Sequence, residues 1–246
     1  MRIDDWCCLG RTVPEESKKY GLKVCSVGYS DELRAFVRVY PLPVRCDIKQ
    51  RMVCQLELVR NPGDSRDESW KLTRDDDDGG INRVSTFEKQ ADVVAWLGKH
   101  VSPSIADLNE RRRSIGVLKI PTEQIKGVLR QRKTPDGSDP EQKLFFEDID
   151  ENFGQGAIPV APYLEFRDKA GPHRIQVREW GCYEYLRNHP TKIDELWSAM
   201  NLDTPDSDTY LVVGNMNNHR TVWLVISFYV MARVKPVKGL FDDLPD

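Results

Sequence analysis

The chain lacks most of the short signatures that announce a chemistry. It has no P-loop, no G-x-G-x-x-G and no G-x-S-x-G, which removes both the glycine-rich phosphate cradle and the serine nucleophile elbow. Its four histidines, His100, His173, His189 and His219, include no pair at metal-ligand spacing. Its six cysteines, Cys7, Cys8, Cys25, Cys46, Cys54 and Cys182, form no C-x-x-C. One metal arrangement is left open, a site assembled in space from Cys46 and Cys54 with a distant histidine. The expectation is no metal and no cofactor.

No apolar run reaches the roughly 20 residues of a membrane helix. The opening MRIDDWCCLG sets two acids before a short apolar segment, unlike a secretory signal. Together with the unpaired cysteine spacing, this predicts a cytoplasmic protein with reduced thiols and no membrane partner. Charge of one sign is also missing. A net charge of −3 over 246 residues supplies no global field for a polyanion, so any such contact must come from a local patch.

What is present is a strong run of β-formers. Thr221 to Met231 (TVWLVISFYVM) reads as a strand buried on both faces. A short polar loop, GNMNNHR, joins it to Tyr210–Val213 and makes the pair antiparallel. Upstream, YLEFR and HRIQVREW form a hairpin around Ala170-Gly171-Pro172. An apolar helical stripe from Cys182 to Met200, broken at Pro190, follows. These elements predict a C-terminal ββαββ unit over 161–246.

The N-terminal part reads as short strands at Trp6–Val13, Leu22–Val27, Ala35–Tyr40 and Met52–Val59, an antiparallel sheet or partial barrel. Asn61 to Asn82 is irregular, and its run Asp75 to Asp78 suits a solvated loop better than a calcium loop. Central helices come next. One opens with the capping box Ser85/Glu88, a second follows Ser102-Pro103, and a third starts at Pro121-Thr122 with Ile125, Val128 and Leu129 inward. Residues 134–160 hold seven acids among prolines and glycines and read as an acidic linker or loop. The fold class expected is therefore α+β. It comprises a β-rich module with a helical segment over 1–133, the acidic linker, and the ββαββ unit.

Three places can carry function. Between 111 and 133 lie Arg111, Arg112, Arg113, Lys119, Lys126, Arg130, Arg132 and Lys133 against the single acid Glu123. Such a patch can neutralise several phosphates, although two solvated helix ends would look the same. Phe36, Arg38 and Tyr40 share one face of a strand, the ingredients of a stacking platform for single strands, or of a core with a snorkelling arginine. Asn217, Asn218, His219 and Arg220 sit at the tip of the best-buried hairpin, where polar loops commonly form sites.

The reading that follows is a cytosolic nucleic-acid-binding accessory protein, contacting DNA or RNA through the basic patch. Two alternatives stand beside it. One is a metal-dependent nuclease or hydrolase, for which Glu141-Gln142-Lys143, Glu165 or Arg178-Glu179 offer weak carboxylate patterns. The other is a non-catalytic subunit whose acidic segments dock a basic protein partner.

Overall fold

A computed structural model describes residues 1–17, 20–74, 80–131, 158 and 160–233. Of the described residues 51% lie in strands and 18% in helices or 3-10 turns. The α+β expectation with central helices is thereby corrected: the protein is mostly β, a closed five-stranded barrel joined to a second sheet.

The barrel is built from β1 (Arg2–Arg11), β3 (Gly21–Ser30), β4 (Ala35–Pro43), β5 (Met52–Arg60) and β6 (Ser69–Leu72). β1 pairs with both β3 and β5, and β6 bridges β4 and β5, which closes the ring. Every pairing is antiparallel except β4 with β6, where Arg38 and Val39 run parallel to Ser69 and Trp70. This is a five-stranded Greek-key barrel of the OB type. Alternation explains its interior. On β5, Met52, Cys54, Leu56 and Leu58 are buried while Val53, Gln55, Glu57 and Val59 face out. The short β2 (Glu15–Ser17) extends β3, and β7 (Ile81–Thr86) extends β5.

The second sheet follows the order β8 (Ile115–Pro121), β12 (Ser207–Asn215), β13 (Trp223–Ala232), β11 (Gly171–Val177), β10 (Val160–Asp168), β9 (Lys126–Gln131). Both expected hairpins, β10–β11 and β12–β13, are present. They do not form a separate ββαββ unit, because β8 and β9 complete the same sheet and β11 meets β13 in parallel. One face is covered by α3 (Trp180–Asn188) and the short α4 (Leu196–Ala199) around Leu164, Val177, Leu186 and Leu211.

One expected helix, and the first turn of another, give way to strand pairing. Ser85 does not cap a helix; it lies in β7 opposite Val53, and helix α1 (Gln90–Leu97) starts later. The third expected helix is a 3-10 turn, Thr122–Gln124, followed by β9 paired to β10. In both places a local capping signal loses to hydrogen bonds with a strand distant in sequence. The second helix is present as α2 (Ile105–Glu110), with Ser104 accepting from the Asp107 N–H.

The barrel and the sheet share a core. Leu9, Val27 and Tyr29 pack on Ile115, Val117, Val212 and Ile226, with α1 sealing one side through Val93, Val94 and Leu97. A bulge in β13 opposite Val212/Val213 turns both Ile226 and Ser227 towards the barrel. Gly10 makes this approach feasible, since a Cβ there would lie 2.3 Å from the Ser227 Cβ. Gly28 does the same inside the barrel, where a Cβ would strike the Trp6 ring. Gly10→Ala should therefore destabilise the fold by about 1–3 kcal/mol, the usual cost of overpacking. Urea denaturation of the variant beside the parent checks it, and an unchanged midpoint would show that the two layers do not meet at β1 and β13.

Candidate functional site

The barrel face expected to stack bases is not open. In an OB-type barrel the outer face of the second and third strands and the flanking loops contact oligonucleotides. Here those strands are β3 and β4. Phe36 and Arg38 do share that outward face, but the second sheet and α1 lie on it. Arg38 is only 4% exposed. Its Nη2 donates to the Ser114 carbonyl at 2.7 Å and its Nη1 to the Asn215 carbonyl at 3.2 Å. Burial pulls its pKa down, yet guanidinium stays protonated at any working pH. Arg38 is thus removed from the candidate contact residues. Tyr40 is half-buried, stands edge-on to Tyr20 with ring centroids 6.5 Å apart, and its carbonyl accepts from Asn61.

Around Arg38 lies a buried polar seam that the sequence did not single out. The Glu68 carboxylate accepts from the Ser114 N–H and hydroxyl, at 3.2 and 2.8 Å. Asp64 pairs with Arg66, Nε to Oδ1 at 2.8 Å, both nearly fully buried, and accepts from Ser69 at 2.6 Å. Arg66 also donates to the Asn215 carbonyl. The three charged residues that join Arg38 here, Asp64, Arg66 and Glu68, come from positions with no period-2 pattern, so periodicity could not have found them.

Asn215 is the junction of this seam with the surface. Its Nδ2 donates to the Arg220 carbonyl at 3.0 Å and to the Arg113 carbonyl at 3.5 Å. The turn 111–113 and the loop 216–220, two separate candidates in the sequence, therefore meet on one rim. The barrel loop between β5 and β6 forms its third side: Asn217 donates to the Gly63 carbonyl at 3.1 Å and Arg220 to Ser65 Oγ at 2.8 Å. Arg111, Arg112, Arg113, Asn218 and His219 are exposed there, together with two acids, Glu110 and, on the β5–β6 loop, Asp67. Arg111 is taken up by Asp107 at 2.9 Å. Arg112, Arg113 and Arg220 form no ion pair among the described residues.

Arg112 has a positive φ of 55°. It closes α2, with the Arg113 N–H donating to the Leu108 carbonyl at 2.9 Å. Glycine normally fills such a left-handed helix stop, because a Cβ there costs about 1 kcal/mol.

The rest of the basic stretch does not join this rim. β8 carries the chain about 20 Å away at some 3.3 Å per residue before Lys119, which pairs with Asp208 at 2.9 Å in a network with Arg233 and Glu123. Lys126 and Arg130 are exposed on β9, the far edge of the sheet, opposite Glu165 and Ala161. Arg132 and Lys133 lie outside the described residues, as do Asp75 to Asp78, the acidic segment from Thr134, and Glu141-Gln142-Lys143 within it. The +7 run is thus split by topology into three places.

The carboxylates weighed for a nuclease have structural partners. Glu179 caps α3 by accepting from the Cys182 N–H at 2.8 Å, and burial raises its pKa. Arg178 is buried and donates to Glu15 at 2.6 Å, while Glu165 pairs with Arg174. Cys46 and Cys54 are both in the barrel core, and burial pushes the Cys54 thiol up to about 11. Among the described residues no three His, Cys, Asp or Glu side chains gather into a metal-ligating group, and no helix is long and apolar enough to cross a membrane. All six cysteines are free thiols.

A family model described as Domain of unknown function (DUF8758) matches residues 6–99, which span the barrel, β7 and α1. No curated protein gives a match, and neither does any solved structure.

Two outcomes follow from the seam. Arg38→Met should cost roughly 1–3 kcal/mol for each carbonyl left without its donor, read as a lower urea midpoint; a wild-type midpoint would mean that those carbonyls find other donors. The second outcome concerns acid. Burial acts to raise the Asp64 carboxyl, but Arg66 and Ser69 outweigh it and hold the pKa below its ordinary value. The stabilisation is therefore complete above the ordinary carboxylate pKa of about 4 and declines as pH falls below it. Asp64→Asn should lower stability at pH 7 and flatten the fall between about pH 4 and pH 2, measured by thermal unfolding against pH.

Proposed function

We propose that the protein is a cytosolic nucleic-acid-binding protein that contacts phosphates through the arginine rim formed by residues 111–113 and 216–220. The observation that carries this reading is the pair of hydrogen bonds from Asn215, which hold Arg113 and Arg220, 107 positions apart, on one ridge. Three arginines with no ion pair among the described residues give a polyanion preorganised donors on a rigid ridge, and guanidinium matches phosphate oxygens in bidentate fashion. Asn218, exposed on the same loop, adds an uncharged donor of the kind that positions a backbone. The rim includes the loop before the last barrel strand, one of the loops OB-type barrels use for oligonucleotides. The covered β3–β4 face directs the contact to this end of the molecule.

Arg112 has a positive φ where a glycine would relieve the backbone, as four other non-glycine residues do (Arg34, Arg51, Asn201 and Asp206), so replacing it by glycine can remove a guanidinium without loss of stability.

This separates function from stability. Arg112→Gly should leave the protein as stable or up to about 1 kcal/mol more stable, and yet weaken retention of nucleic acid. In filter binding from low to moderate salt, removing one phosphate-binding side chain should reduce the slope of log K against log salt by about 0.9 on duplex or 0.7 on single strands. Arg113→Ala and Arg220→Ala should do the same. No retention of DNA or RNA at low salt, or slopes unchanged in all three variants, would remove the proposal.

A further inference from the structure

At the opposite end of β8 from the rim, the second sheet does not close. β8 approaches β10 without pairing to it, and residues 101–103 fill part of the gap through the Val101–Val117 bridge and the bond from Lys169 N–H to the Pro103 carbonyl. What remains is a groove of about 520 Å³ between β8 and the β10–β11 hairpin. That volume lies within the range of small-molecule sites, roughly 300–1,000 Å³.

Its lining is divided by chemistry. Val101, Pro103, Ile120 and Pro121 supply an apolar wall, and Lys119, Arg167 and Lys169 supply cations. Arg167 and Lys169 are exposed and form no ion pair among the described residues. Lys119 is shared with Asp208, so the uncommitted charge comes from the other two. One acid, Asp168, lines the groove between them. Its side chain is 1% exposed, and it accepts from the N–H groups of Ile105, Ala170 and Gly171 and lies 2.8 Å from His173. These partners take up its carboxylate, while the two flanking cations stay exposed.

We propose that this groove binds a small organic phosphate of mononucleotide size. The apolar body lies against Val101, Pro103 and Pro121, and the phosphate lies between Arg167 and Lys169. A guanidinium and an ammonium flanking one position suit an oxyanion with several acceptor oxygens, and the adjoining prolines suit a planar base or ring. The site is independent of the arginine rim, which uses different residues at the other end of β8.

Isothermal titration of the full chain at low salt tests this, with AMP, adenosine and inorganic phosphate as the probes. AMP should bind, and adenosine and phosphate should each bind at least about tenfold more weakly, because each reaches only one part of the groove. Arg167→Ala and Lys169→Ala should each weaken AMP about tenfold, the effect expected of one charge-assisted hydrogen bond, with unchanged thermal unfolding because both side chains are exposed. The double variant Arg112→Ala/Arg113→Ala should bind AMP as the parent does. AMP binding no tighter than phosphate, AMP binding insensitive to both groove variants, or AMP binding abolished in the rim variant would each overturn the assignment.

Discussion

The structure depends on a guanidinium that has left water. Arg38, on an outer face of the barrel, donates to two carbonyls of the second sheet, Ser114 and Asn215. Burying a charge costs several kcal/mol unless it is paired and hydrogen-bonded. Here part of the cost is offset by those two carbonyls and by the nearby carboxylates of Asp64 and Glu68, while Arg66 in the same seam opposes it. The sheet answers with an arginine of its own: Arg178, 1% exposed, reaches Glu15 beside β1, and its carbonyl accepts from the Val13 N–H. Apolar packing between the two layers, Leu9 and Val27 on Val212 and Ile226, is nondirectional and would tolerate sliding. The two arginines fix the register, because each satisfies its partners in one position only.

That constraint decides where a ligand can reach. A barrel of this topology offers its β3–β4 face by default, and in this chain that face is spent on internal packing. The aromatic cluster at its margin shows the same economy. Tyr29, Trp96 and His100 have ring centroids 4.3 to 4.6 Å apart, so they fill one another's faces and leave no slot for a base. What stays outside is the loop end, where the polar seam comes to the surface at Asn215. The rim is rigid because it is the outer edge of the seam.

The sequence shows strands well and their partners poorly. The periods of Ala35–Tyr40, Met52–Val59, the β10–β11 hairpin and the long β13 run are legible, since each alternates or is continuously apolar. The closure of the barrel is not, because it depends on β6, four residues within a segment of prolines, glycines and charges. Of the central helices, the third and the first turn of the first fail, where capping chemistry is sound but a strand is waiting: residues 126–131 opposite β10, and Ser85 opposite Val53. At the site, the loop 217–220 and the turn 111–113 are both visible as candidates, and their meeting is not. That meeting passes through Asn215, a residue whose hairpin position gives no sign that its amide will bridge two loops. Arg38 is misplaced for a related reason. Alternation gives the side of the strand a residue faces and says nothing of what lies on that side.

The formal charge is the most misleading of the sequence quantities. Acids outnumber bases, 39 to 36, which argues against a polyanion partner if all of them are assumed to face solvent alike. In the fold, two acids near the two cationic features serve the backbone. Glu68 takes the Ser114 N–H, and Asp168 three N–H groups around a hairpin and a helix start. A carboxylate held by N–H donors inside the protein keeps its charge but projects little of it into water, whereas arginines at helix stops and hairpin tips project theirs fully. The surface field is therefore set by which charges the backbone consumes. In this fold the backbone consumes charges of both signs, carboxylates at turns and helix starts and the guanidiniums of Arg38 and Arg66 at sheet carbonyls, and the cations of the rim and of the groove are among those left facing out.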